Sequence, residues 1–277
     1  MRWQGRREST NVEDRRGMGG RPMAIGGGVL GVIIALVLGL VFGINPSNLT
    51  TQSTTASTVA GQEDAMTKFV KVVLADTEDF WLAQFEDLGK TYQTPTLVLF
   101  SGYVQTGSGT ASSAMGPFYS PADEKVYIDL SFYEELKTRF GAGGDAAEAY
   151  VIAHEVGHHV QNQLGTLGQV SSLQQRVGQT EANELSVRLE LQADFYAGLV
   201  AHYQGENKWL DAGDVEEALN AANAIGDDRI QQSQTGRINE DTFTHGTSEQ
   251  RVRWFKLGYE TGDIGKADTF TMAYEDL

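Results

Sequence analysis

The stretch YVIAHEVGHHVQ, residues 150–161, sets His154 and His158 four positions apart with Glu155 between them. On a helix, four residues leave two imidazoles about 40° apart around the axis and about one turn apart along it, so both reach one metal ion. Ala147, Val151, Ile152 and Val160 supply an apolar stripe at helical spacing, and Asp145 stands where an N-cap is expected. Glu155 lies beside the imidazole pair. A carboxylate there takes a proton from an attacking water instead of completing the coordination. His159 points about 100° away from His158 and reads as a solvent-facing or supporting histidine off the metal face.

A catalytic zinc site takes three protein ligands and keeps one position open, so a further side chain has to converge on the pair. The stretch ELQADFYAG, residues 190–198, offers it: Glu190 and Asp194 share one helical face, and Ala193, Ala197 and Gly198 are small enough to let this helix approach the first. Glu190 is the expected metal ligand, with Glu181 and Glu184 as competitors. Asp194 is expected to bond the second nitrogen of a ligating imidazole. His245 precedes Thr247-x-x-Gln250, a capping-box pattern, and a histidine in such a loop can donate to the oxyanion of a tetrahedral intermediate; Arg251 is the other candidate for that role. His202 carries no assigned chemistry. The chain has no cysteine, which removes thiolate metal sites, disulfides and cysteine nucleophiles and leaves any metal to histidine and carboxylate.

Ahead of the motif the period changes. Met66, Phe69, Val70, Val73, Leu74, Phe80, Trp81 and Phe85 predict one broken helix or two over residues 63–89. TLVLF at 96–100 reads as a strand, and GPFYS at 116–120 with KVYID at 125–129 reads as a hairpin. Residues 107–116 read as a flexible loop that lacks the lysine of a phosphate-binding loop. From Ser131 onward the pattern is helical, with breaks at glycines 141–144, 165–168, 205, 226 and 236. Strands first and helices after predict an α+β domain, mostly helical, with a small sheet ahead of the His154 helix. A sheet edge at 127–130 is expected to border the site and accept peptide as an added strand.

Residues 23–44, MAIGGGVLGVIIALVLGLVFGI, contain no charge, and at helical rise they span about 30 Å, so an uncleaved N-terminal transmembrane helix is expected over 23–46. Arg2, Arg6, Arg7, Arg15, Arg16 and Arg21 precede it against Glu8, Glu13 and Asp14; the positive-inside rule then keeps a basic segment, 1–22, in the cytoplasm and puts the rest outside. Residues 47–62 form a Ser/Thr-rich tether, and 63–277 form the folded domain. A formal charge of −16 argues against nucleic acid as a partner.

MRWQGRRES at 1–9, NVEDRR at 11–16, MGPFY at 115–119, VYIDLSFY at 126–133, the His154 and Glu190 motifs, AIGDDR at 224–229 and FTHGTS at 243–248 together resemble the neutral zinc metallopeptidases of bacterial inner membranes. The resemblance runs over nearly the whole chain. It implies a zincin-like fold with His154, His158 and Glu190 as Zn2+ ligands and Glu155 as the base. Members of that family carry cysteines where this chain has Ser108, Ser120, Phe195 and Ala267, so disulfide staples are not implied here. The expected function is a membrane-anchored zinc endopeptidase acting on protein or peptide substrates on the extracytoplasmic side, with His245 and the metal stabilising the intermediate. The alternative is a non-catalytic zinc-containing envelope binding or chaperone-like module, which a fourth protein ligand closing the site would favour. A hydrolase of non-peptide amides in the cell wall would use the same residues in a differently shaped cleft.

Overall fold

The computed structural model describes residues 1–17 and 64–277. Among the described residues no helix is long and apolar enough to cross a membrane; the expected anchor, 23–46, and tether, 47–62, lie outside the described residues.

Helix α1 (Ala65–Asp87) opens on Asp64, whose side chain accepts the Thr67 N–H at 2.7 Å. It is one unbroken helix, not two. The polar stretch Asp76, Thr77 and Glu78 within it is buried, and residues 1–17 pack over it and supply partners to Asp76 and Glu78. Residues 1–17 pack against 64–277, and the expected boundary at residue 22 lies outside the described residues.

The main sheet has the order β1-β2-β6-β5. Strand β1 (Val12–Asp14) comes from the N-terminal segment and runs parallel to β2 (Thr96–Phe100), which runs parallel to β6 (Lys125–Asp129); β5 (Phe118–Ser120) closes the hairpin antiparallel to β6. Side chains alternate across a strand, so Leu97, Leu99, Val126 and Ile128 enter the main core, while Val98, Phe100 and Tyr127 face a smaller one. Strands β3 (Tyr103–Thr106) and β4 (Gly109–Ser112) cover that smaller core with Val104 and Ala111. Residues 107–116 thus contain a strand and a short 3-10 turn, Ser113–Met115, instead of a flexible loop. Strand β6 is interior, with β2 on one side and β5 on the other. The expected peptide-binding edge at 127–130 is consequently filled by the protein's own strands; the outer strands are β1 and β5.

The helical half comprises α2 (Ser131–Thr138), α3 (Asp145–Leu164), α4 (Thr166–Gln174), α5 (Gln179–Glu206), α6 (Asp214–Ala224), α7 (Asp227–Thr235) and α8 (Ser248–Thr261). The motif helix is α3. Its N-cap is Gly144, not Asp145; Glu217 of α6 accepts the Ala146 N–H at 3.3 Å, and Asp145 accepts the Trp3 indole N–H at 3.0 Å. Small residues set the helix spacing. A Cβ on Gly157 would stand 3.2 Å from the Cα of Ala193, which marks the close approach of α3 to α5. On the other side of α5, a Cβ on Gly198 would stand 2.1 Å from the Phe255 carbonyl oxygen, and one on Gly258 2.2 Å from that of Phe195, so α5 and α8 meet backbone to backbone.

Candidate metal centre

Helix α3 presents His154 and His158 one turn apart, with ring centroids 4.8 Å apart. Helix α5 crosses it at Gly157 and Ala193 and brings Glu190 opposite both imidazoles. One carboxylate oxygen of Glu190 lies 3.1 Å from His154 Nε2 and the other 3.4 Å from His158 Nε2. Among the described residues, His154, His158 and Glu190 form a group whose ligand atoms all lie within 4.8 Å of one another. Glu181 and Glu184 are not part of it.

The remaining ring nitrogens are tied from behind. His154 Nδ1 donates to Asp194 Oδ1 at 2.8 Å, and His158 Nδ1 donates to Gln161 Oε1 at 2.9 Å. The Gln161 amide is oriented by its own donation to the Leu189 carbonyl at 2.7 Å. Both imidazoles therefore turn Nε2 toward Glu190, the arrangement a metal-binding histidine pair requires. Asp194 is fully buried and is held in turn by the Arg251 guanidinium, whose Nε and Nη2 donate at 2.8 and 3.0 Å, and by the Tyr150 hydroxyl at 2.5 Å. Arg251, a candidate oxyanion donor by sequence, is the buried counterion of Asp194.

The electrostatics favour a cation at the centre of this group. Burial opposes charge on His154, yet Asp194 and Glu190 outweigh it and push the imidazole up to about 10. Burial likewise would raise Glu190, and the imidazoles hold it well below the usual carboxylate range. Two imidazole nitrogens and one carboxylate match the ligand set of catalytic zinc, and three side chains leave a fourth tetrahedral position for solvent or substrate. Burial raises the Glu155 carboxyl, with the two imidazoles acting against that rise. A carboxyl raised by burial beside the ligands suits a group that accepts and returns a proton.

His245 sits in a loop that Asp227 shapes. One oxygen of Asp227 accepts the backbone N–H groups of Thr244 and His245 at 2.7 Å each and of Gly246 at 3.3 Å; the other lies 3.0 Å from His245 Nδ1. The neighbouring Asp228 accepts the Ser248 N–H and hydroxyl at 2.7 Å each. A Cβ on Gly246 would lie 3.2 Å from Val187 and 3.3 Å from Leu191, so this loop rests on α5 beside Glu190. Burial lowers His245, but Asp227 overrides it and the imidazole is raised. Thr247 and Gln250 form the capping box of α8.

Sequence reasoning missed Tyr150, Gln161 and Asp227 as contributors. Gln161 lies one turn after the motif on the same helix, and Asp227 lies inside AIGDDR, so both stood in stretches with visible signals. His159 is buried against the Tyr119 hydroxyl at 3.0 Å and the Gln93 carbonyl at 2.6 Å, not solvent-facing. His202 Nδ1 bonds the Tyr259 carbonyl at 2.6 Å, away from the group.

A family model described as "Putative neutral zinc metallopeptidase" matches residues 1–270. The protein YpfJ of Escherichia coli K12 is 52% identical over 98% of this chain and 99% of its own length. The protein Rv2575 of Mycobacterium tuberculosis is 46% identical over 74% of this chain and 72% of its own. Both are described as uncharacterized proteins. No solved structure matches.

Proposed function

Because the chain belongs to this zinc metallopeptidase family, we propose that it is a zinc-dependent endopeptidase, with His154, His158 and Glu190 as metal ligands and Glu155 as general base. The observation that carries the reading is the convergence of both Nε2 atoms on the two oxygens of Glu190, with each Nδ1 fixed by its own acceptor. Zinc bound there supplies Lewis acidity, polarising the scissile carbonyl and acidifying the attacking water. Glu155 takes the proton from that water and passes it to the leaving amine. Asp194 keeps the His154 ring in one orientation. His245, anchored through Nδ1 by Asp227, uses Nε2 to donate toward the developing oxyanion. No fourth protein ligand joins the group among the described residues, which favours an open, catalytic position over a closed structural one. The apolar run 23–44 keeps the domain at a bilayer surface, where polypeptides close to the membrane are the substrates within reach.

The variant Glu155→Gln tests the assignment. It is expected to bind one zinc per chain as the wild type does, while cleavage of a mixed peptide library falls by roughly a hundredfold or more. Cleavage at a wild-type rate by Glu155→Gln, or zinc loading that does not depend on Glu190, refutes it.

A further inference from the structure

Residues 1–17 are built into the domain. The Leu97 N–H donates to the Asn11 carbonyl and the Arg15 N–H to the Leu99 carbonyl, both at 2.8 Å, which seats β1 in the sheet. The Ser9 hydroxyl and the Asn11 amide donate to one oxygen of Glu78 at 2.5 and 2.7 Å, and Arg7 donates to the other at 3.0 Å. Arg6 pairs with Asp76 and stacks 3.4 Å over the Trp209 ring. The Asp76 and Glu78 side chains are only 3% and 5% exposed. Without the segment, buried Glu78 loses Arg7, Ser9 and Asn11, buried Asp76 keeps the Gln204 amide but loses its Arg6 counterion, and the outer edge of β2 is left unpaired.

The chain leaves and rejoins the domain at one place. Arg16 contacts Asp64 at 2.8 Å and the Thr67 hydroxyl at 2.7 Å, so the residues flanking 18–63 are joined by an ion pair. The uncharged run 23–44 holds 22 residues. One crossing takes about 20 apolar residues and two take about twice that, so the run has length for one crossing at most. A single crossing puts residues 1–17 and 64–277 on opposite faces of the bilayer, where none of these contacts can form. The arginines that predict a cytoplasmic N-terminus have another explanation: Arg2, Arg6, Arg7, Arg15 and Arg16 pair with Asp211, Asp76, Glu78, Glu13 and Asp14 within the fold.

We propose that residues 1–17 and 64–277 fold together on one and the same side of the membrane. The inference is independent of the peptidase reading, since nothing in it involves hydrolysis.

The absence of cysteine makes the test direct. Single cysteines are introduced into the full-length chain at exposed positions, Gln4→Cys in the N-terminal segment and Glu86→Cys at the end of α1, and sealed spheroplasts and inverted vesicles are treated with a membrane-impermeant maleimide. Both positions are expected to label in the same preparation and to be protected in the other. Labelling of one from outside and of the other only from inside overturns the proposal. Docking is checked separately by charge exchange: Arg6→Asp is expected to lower the thermal midpoint of the membrane-associated protein, and Asp76→Arg in the same chain to restore part of it. An unchanged midpoint in Arg6→Asp equally overturns the proposal.

Discussion

Asp194 is the residue whose replacement separates metal binding from packing. Four hydrogen bonds converge on its carboxylate, from Tyr150, from His154 and twice from Arg251, and the whole set is buried. Asparagine keeps the shape but has one acceptor oxygen, and its NH2 group faces a donor whichever way the amide turns. Arg251, with a side chain 3% exposed, loses its counterion. Removing one partner of a buried pair costs about 3–5 kcal/mol. Losing the acceptor that orients a ligating imidazole lowers metal affinity by about 10–100-fold. At a fixed free zinc concentration that loss removes a further ~1.4–2.7 kcal/mol of zinc-dependent stabilisation. Asp194→Asn is therefore expected to unfold at lower denaturant with or without zinc, and to gain less from added zinc than the wild type does. Denaturant titrations with and without zinc, together with chelator competition, measure the two effects. The double variant Asp194→Leu, Arg251→Met removes both charges; it should recover much of the stability and none of the zinc affinity, because His154 still lacks its acceptor. Wild-type zinc affinity in Asp194→Asn, or recovery of affinity in the double variant, refutes the role assigned to this carboxylate.

Gly198→Ala places a methyl 2.1 Å from the Phe255 carbonyl oxygen and 2.8 Å from the Tyr259 nitrogen, both backbone atoms of α8 that cannot rotate away; a loss of about 2–3 kcal/mol and a melting point lower by about 5 °C or more are expected by calorimetry, and an unchanged melting point refutes the backbone contact. Glu148 in α3 is pushed up from its ordinary 4.5 to about 7 by burial, reinforced by Asp145 and Glu217, and its Oε2 is buried without a hydrogen-bond partner. The folded state thus retains a proton that the unfolded chain releases, so this group lowers stability as pH rises from about 4.5 to about 7. Glu148→Gln should leave stability nearly unchanged at pH 4.5 and raise it at pH 8 by about 1–2 kcal/mol, discounted because the group is partly exposed; thermal midpoints at the two pH values check the sign.

The motif helix, its four-residue imidazole spacing and the carboxylate on a second helix were legible because helical period alone fixes which side chains share a face. The strands at 96–100, 116–120 and 125–129 were legible from alternation and β-branched content. What failed was long-range pairing. The stretch 63–89 reads as one broken helix or two because a sequence window cannot see Arg6, Arg7, Ser9 and Asn11 arriving from some 70 positions away to satisfy the buried Asp76 and Glu78. Strand β1 is three residues, VED, with two charges, and only its parallel pairing with β2 makes it a strand. The Tyr127 strand looked like an edge because sequence does not reveal that β2 pairs on its far side. Arg251 reads from sequence as a candidate oxyanion donor because its buried partner Asp194 lies 57 positions away.

The N-terminal segment also bears on the metal centre, through contacts at the start of one helix that forms it and just past the end of the other. Trp3 donates to Asp145, the first residue of α3, and the Arg2 N–H donates to the Trp209 carbonyl just beyond the end of α5. Helix α3 carries His154 and His158; α5 carries Glu190 and Asp194. Residues 1–17 therefore bridge the start of one ligand helix to the end of the other, while Gly157 and Ala193 fix their crossing. A fragment beginning at residue 64 loses that bridge along with the Arg6 counterion of Asp76, a carboxyl that burial already pushes up to about 6 despite Arg6. Zinc affinity and cleavage profiles consequently have to be measured on protein that retains residues 1–17, because failure of the shorter fragment would report a loosened pair of helices and leave the chemistry of Glu155 untouched.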